Sequence, residues 1–397
     1  MNPEFARRFP LVARTRPSWT PLDERVSDLQ ERAHRDQECR DSTAATAVFN
    51  LAALLASDCG MPDLARTWCH RLAAVALAHD HNPQHALEPI VNLARLHIRA
   101  GNGPAAWNLL EDLFHAIDTR TNITIDGITI PAAQLTDRPG AYAETRKWLW
   151  TVLLGTGAHA LATAGRWDEA SQRLAQYKGI GTRMLDGRQV AIIAHATAGR
   201  SQQAHAMLAT TQPGEAWEDA ITACLSLHVH TGSPADATAD ALTAYELLDH
   251  AEPGLAVFHI RLGLVIFDGL EHGHPAQGRV TTSLIRQAMS DGYAARDLLA
   301  HPACLGIATT RQIRQLTGLV SVCGLAVGNM PSGHLASLSG AVDTAESVIE
   351  RQGQRHPRLP VQIALDLIEP TTRGAVTGAH PTTPSVQPPT RLPPWLD

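Results

Sequence analysis

The feature that most constrains this chain is a phrase that recurs along it: a small-residue helical run, a Gly, and a second run with Ala five positions after that Gly. It reads NLAALLASDCGMPDLARTW around Gly60 and NLARLHIRAGNGPAAWNLL around Gly101. It returns as GAHALATAGRWDEASQRL around Gly165 and VAIIAHATAGRSQQAHAML around Gly199. The matching alanines are Ala65, Ala106, Ala170 and Ala204. Self-similarity of this kind marks a solenoid of stacked helix pairs, because one pair alone cannot bury its apolar face. The chain is 44% hydrophobic but only 5% aromatic, which favours closely packed helices over a β-sandwich. The expected fold class is all-α: an α-α superhelix with a small β-hairpin insertion.

Punctuation residues divide the chain. Residues 1–42 read as an extended arm, interrupted by Pro3, Pro10 and Pro17, and a charged helix that starts at Thr20-Pro21 and runs to about Arg40. Helical repeats are expected over 43–300, as pairs near 43–79, 82–117, 142–177, 187–210, 215–249 and 254–291. The glycines between paired helices are Gly60, Gly101, Gly165, Gly199, Gly232 and Gly273, spaced 41, 64, 34, 33 and 41 residues apart. The long gap needs an insertion at about 121–133. There, ITIDGITIP (Ile123 to Pro131) flanks Asp126-Gly127 with alternating β-branched residues, a strong hairpin signal. A lone hairpin is marginal in water, so it is expected to pack on the solenoid or close over its concave face. A C-terminal helical cap is expected over 301–369 and a disordered Pro/Thr-rich tail over 370–397.

The repeats resemble the tetratricopeptide-repeat superfamily. Ala53, Ala94 and Ala158 stand seven residues before their glycines, and Ala65, Ala106, Ala170 and Ala204 five after. Ile192 departs from the pattern at the small position of the fourth pair, and the family's early Trp, its Tyr and its closing Pro are mostly missing. The resemblance covers about 43–250. It implies a helical binding surface on which first-helix side chains line a groove. On that pattern the groove residues are Asn50, Asn92, Arg95, Arg99 and His159. Arg95 and Arg99 are four apart, on one helical face, where two guanidiniums can hold a carboxylate. The Ala-, Arg- and His-rich style also resembles uncharacterised cytoplasmic proteins of high-GC actinobacteria, which implies no activity.

Other motifs carry weaker chemistry. Gly155 to Ala160 matches a GxGxxA fingerprint, but no βαβ unit or acidic second strand accompanies it, so a place inside a helix outweighs dinucleotide binding. Twenty histidines invite a metal site, yet His81 and His85 straddle Pro83, His228 and His230 point to different sides, and no zinc spacing occurs. No metal and no cofactor is therefore expected. In KGIGTRMLDGRQV (178–190), Lys178, Arg183 and Arg188 are candidates to converge on an anion, so Arg183 and Arg188 join the candidate binding residues.

A net charge of −6 leaves no overall electrostatic footprint for nucleic acid. No apolar run reaches membrane-spanning length. Six cysteines without CxxC fit a reducing compartment, so a cytoplasmic location is expected. The leading expectation is a non-catalytic adaptor that binds a protein or peptide on its concave face. Two alternatives stand beside it: a ligand- or peptide-responsive regulatory sensor acting through a separate transcription factor or enzyme, and an enzyme or enzyme subunit.

Overall fold

Helix pairs follow one another along the chain in the computed structural model, which describes residues 3–79, 82–229, 234–252 and 254–355. His81, His230, Gly232 and the tail at 370–397 lie outside these residues. A short helix, α1 (Pro3–Ala6), precedes an extended arm, and α2 (Leu22–Cys39) follows. Pro21, rather than Thr20, stands at the N-cap position of α2, without a side-chain cap bond. The first pairs are α3 (Ser42–Asp58) with α4 (Pro62–His79) and α5 (Pro83–Arg99) with α6 (Gly103–Thr119). Strands β1 (Ile123–Ile125) and β2 (Ile128–Ile130) come next, then a short helix α7 (Ala132–Leu135). Helix α8 (Ala141–Val152) passes through a π-helical turn (Leu153–Gly157) into α9 (Ala158–Thr163) and is paired with α10 (Trp167–Gln176). Then α11 (Asp186–Thr197) pairs with α12 (Ser201–Ala209), α13 (Ala216–Val229) with α14 (Pro234–Glu246), and α15 (Ala256–Gly269) with α16 (Ala276–Ala288). The described chain ends with α17 (Gly292–Leu299), α18 (Pro302–Leu305), α19 (Thr310–Val322) and α20 (Ser332–Arg355).

The recurring phrase explains the pairs. Gly60, Gly101, Gly165 and Gly199 all take positive φ, the left-handed geometry that ends a first helix and that Ala resists. Asp41, Asn82 and Asn102 cap α3, α5 and α6 by accepting backbone N–H bonds. Ala53, Ala65, Ala94, Ala106, Ala158, Ala170 and Ala204 are all buried where helices cross, and their small size permits close approach. The GxGxxA stretch is helical, as its context implied. A Cβ on Gly157 would stand 2.9 Å from the Trp107 ring, so this glycine serves packing of the π turn on α6.

The hairpin forms in the register that its sequence implies, pairing Ile123 with Ile130 and Ile125 with Ile128. Asp126 and Gly127 have φ of 53° and 81°, the two positive values that a type I′ turn requires. It sits on second helices and not over the concave face: β1 lies against α6 and β2 against α4. The Asp126 carboxylate binds Arg66 and, at 2.8 Å, His70 of α4. Of the two expected placements, the hairpin takes the first, packing on the helices, and does not close over a groove.

The two ends of the chain meet. Helix α20 leaves the last repeat and packs against α2, α3 and α4, so it covers the first repeat rather than capping the last. The link that carries it there donates from Ala326 N–H to the Asp58 carbonyl and from Gly328 N–H to the Cys59 carbonyl, both at 2.8 Å. The stack of pairs is thereby closed into a ring.

The arm crosses the inside of that ring. Phe5, Phe9, Leu11 and Trp19 are buried, each a contribution of roughly 1.5–3 kcal/mol from apolar burial. Gln189 of α11 accepts from Leu11 N–H and donates to its carbonyl, both at 2.7 Å. Arg16 N–H bonds the Gly254 carbonyl at 3.2 Å. Trp19 is the anchor. Its backbone N–H reaches Asp291 at 2.8 Å and its carbonyl accepts from Gly292. Its indole N–H donates to the Cys323 carbonyl at 3.1 Å, and Arg25 stacks on its ring at 3.6 Å. Trp19→Ala removes all the ring contacts and leaves a large cavity, so we expect a loss of about 3–5 kcal/mol in urea unfolding; a loss below about 1 kcal/mol would show that the arm does not close the ring.

Candidate functional site

At the centre of the ring lies a cavity of about 470 Å³, within the usual size range of small-ligand sites. First helices supply most of its wall. Arg95, Ile98 and Arg99 come from α5, Ser57 and Asp58 from the end of α3, Gly155, Thr156 and His159 from the π turn and α9, and Asp186 from α11. Val257, Phe258 and Arg261 come from α15, and Tyr293 and Arg296 from α17. The arm crosses it and adds Pro10, Leu11, Val12, Arg14 and Arg16. Among the described residues, none from α4, α6, α10, α12, α14 or α16 contributes to this wall.

Among the described residues, six guanidiniums therefore face one chamber. Arg14 and Arg16 are two apart on extended chain, which directs both to the same side. Arg14 reaches Asp186 at 3.2 Å and lies over Gly155, where a Cβ would stand 3.2 Å from its Nη2. Arg99 pairs with Asp58 at 2.8 Å and bonds Ser57. Arg261 and Arg296 share Asp297 behind the wall, at 2.8 and 3.2 Å. Burial alone would raise the Asp297 carboxyl, but Arg261 and Arg296 outweigh it and hold the pKa below the usual carboxylate value. Arg16 and Arg296 both stand over the Tyr293 ring, 4.9 and 5.1 Å from its centroid. Burial pushes the Tyr293 phenol well up, and the neighbouring Asp58 carboxylate adds to the effect. The phenol so stays protonated beside Asp58, whose own pKa is raised by burial against the opposing pull of Arg99.

Beneath Arg95 runs a polar ladder. Arg95 donates to the Asn92 side chain at 2.6 Å, Asn92 to Asn50 at 2.9 Å, and Asn50 to Glu88 at 3.3 Å. Burial pushes Glu88 up to about 8, with Arg95 opposing.

Of the residues expected from sequence, Arg95, Arg99 and His159 line the chamber together. Asn50 is only 5% exposed and, with Asn92, supports Arg95 from below instead of meeting a ligand. Arg183 and Arg188 are elsewhere. Arg183 binds Glu218, and the buried Arg188 is spent on the Gly181 and Met207 carbonyls and on the Thr210 and Thr211 hydroxyls. The expected convergence of Lys178, Arg183 and Arg188 on an anion is corrected: that segment instead delivers Asp186 to the chamber and Gln189 to the arm. Sequence reasoning missed Arg14, Arg16, Arg261 and Arg296. The alternation in Arg14-Thr15-Arg16 was a readable signal; the other two become neighbours only through ring closure. Among the described residues no group of three His, Cys, Asp or Glu is placed to hold a metal, and no helix is long and apolar enough to cross a membrane.

The Glu88 ladder makes a pH prediction. The folded-state pKa of about 8 exceeds the ordinary 4.5, so between these values the folded chain holds a proton that the unfolded chain has lost. Glu88 thus lowers stability as pH rises through that window, by up to about 1.4 kcal/mol per pH unit. Glu88→Gln, which mimics the protonated acid, should match the native protein near pH 5 and exceed it at pH 8 in urea unfolding. Parallel curves at both pH values would rule out the buried proton.

No protein-family model, curated protein or solved structure gives a significant match to this chain.

Proposed function

We propose that this chain is a non-catalytic helical-repeat protein of the tetratricopeptide type that binds an anionic small ligand inside its ring and acts as a ligand-responsive regulator of a partner protein. The observation that carries this reading is the gathering of six arginines on one chamber of about 470 Å³. Guanidiniums stay charged and give up no proton at accessible pH, so they suit holding an anion better than transferring protons. Their planar forks fit carboxylate and phosphate oxygens in pairs.

The adaptor reading, with an extended peptide on the concave face, meets a physical competitor. The arm from Phe5 to Trp19 already runs along the inner side, through bonds to Gln189, Asp186, Gly254 and Asp291. A peptide following that course has to displace it and expose Phe5, Phe9, Leu11 and Trp19. A small anion does not. Partner proteins in this reading meet the outer surface. All six cysteines are free thiols and five are buried, which suits a reducing cytoplasm.

The test is thermal unfolding of the full chain with citrate, inorganic phosphate and inorganic pyrophosphate, at constant ionic strength. A ligand at about a hundred times its Kd adds about 2.7 kcal/mol to the folded state, so at least one of these anions should raise Tm by several degrees. Arg95→Gln should remove the rise with helicity intact. Charge reversal at Arg99 is the poorer choice, since it sets a second carboxylate against buried Asp58. No rise with any of the anions, or an unchanged rise in Arg95→Gln, would overturn the reading.

A further inference from the structure

Between two buried anchors the arm is a single layer of chain. Leu11 is tied to Gln189, and Trp19 to Asp291, Gly292 and Cys323. From Val12 to Ser18 the chain is extended, so its side chains alternate between two faces. Val12, Arg14 and Arg16 line the chamber, while Thr15, Pro17 and Ser18 are exposed. One face of this strap therefore meets the chamber and the other meets solvent. The walls from α5 and α15 are thicker, because α6 and α16 pack behind them.

Gly254 is the clasp of the strap. Its carbonyl accepts from Arg16 N–H at 3.2 Å. Its φ is 83°, and a Cβ there would stand 2.6 Å from the Arg16 carbonyl oxygen. Two backbones thus meet where only a glycine fits. Lifting the strap off Gly254 uncovers the half-buried Val12 and Ala13 and leaves both anchors in place. Lifting the whole arm exposes Phe5, Phe9, Leu11 and Trp19 as well. Local opening of the strap is therefore the less costly motion.

Building on the anion-binding reading above, we infer that residues 12–18 carry the occupancy of the chamber to the outer surface. A ligand holds the strap down on Gly254; with the chamber empty, the strap opens between its fixed anchors. A ligand in the chamber touches the inner face of the closed strap, so it binds that form better and shifts the equilibrium by the difference. The change reaches solvent across the thickness of one chain, at Thr15, Pro17 and Ser18, where a partner protein can read it. No helix of the ring has to move.

The experiment is residue-resolved hydrogen–deuterium exchange on the full chain, with each rate corrected for the intrinsic rate of that amide. The probes are citrate, inorganic phosphate and inorganic pyrophosphate, of which the one that raises Tm most is used at about a hundred times its Kd. Without ligand, the Arg16 amide should exchange at least about tenfold faster than those of Leu11 and Trp19. The ligand should slow Arg16 by about tenfold to a hundredfold, the upper figure holding when the open strap has no affinity for it. Gly254→Ala should speed Arg16 by a larger factor than Leu11 or Trp19, and weaken the ligand at least about threefold. One common rate for Leu11, Arg16 and Trp19 without ligand would overturn the inference, because the arm then moves as a unit. Anion binding with Arg16 exchange unchanged would overturn it and leave the anion chamber standing. No binding by any of the three probes would overturn the anion reading and this reporting role together. These outcomes are read on the unmodified chain, so none depends on the variant folding.

Discussion

The inside of this ring is organised by one contact, the seating of Trp19 between α2 and the helices near the C-terminal end. Its backbone N–H and carbonyl bond the consecutive residues Asp291 and Gly292, and its indole N–H reaches Cys323. Tyr293 packs on the same ring at 4.9 Å and lines the chamber with Asp58, at the end of α3. A stack of helix pairs is otherwise quasi-one-dimensional, with each pair meeting only its neighbours. Here the arm and α20 add long-range contacts that join the two ends. Extended chain inside a protein also needs partners for its backbone groups. Gln189, Asp291 and the Gly254 carbonyl meet that need, which is why the arm lies where those groups face inward.

Closure determines the electrostatics. The helices that face inward carry Arg95, Arg99, Arg261 and Arg296, and an open solenoid would hold these on separate turns bathed in water. Bent into a ring and crossed by the arm, the same side chains share one chamber with Arg14 and Arg16. Three carboxylates orient four of the guanidiniums: Asp58 fixes Arg99, Asp186 fixes Arg14, and Asp297 fixes Arg261 and Arg296 at once. Pre-oriented forks lose little freedom on meeting an anion, so the arrangement favours binding over mere surface charge.

Part of this site was legible beforehand. Arg95 and Arg99 stand four apart on a first helix, and the rule that such residues share a face sufficed to place them. His159 followed from the same repeat pattern. Arg183 and Arg188 looked similar in sequence, because a Gly-rich loop with cations suggests an anion cradle. Local spacing does not reveal that Glu218 and the Gly181 and Met207 carbonyls already claim them. The ladder from Arg95 to Glu88 is equally hidden: the repeat pattern places Asn50 and Asn92 in the groove, and only packing of α3 against α5 turns them into support for Arg95.

The helix pairs, their turns and the hairpin are encoded locally along the chain. Those depend on local physics: left-handed glycines at the turns, side-chain caps, small residues where helices cross, and Asp126-Gly127 in a type I′ turn. Tertiary structure alone decided that the hairpin grips α4 and α6 from outside, that α20 covers the first repeat, and that the arm runs through the ring. These outcomes rest on contacts between residues far apart in the chain, such as Leu11 with Gln189 and Trp19 with Cys323. No periodicity within one helix encodes such pairs, because their energy comes from shape and unmet polar groups that exist only once the repeats have stacked.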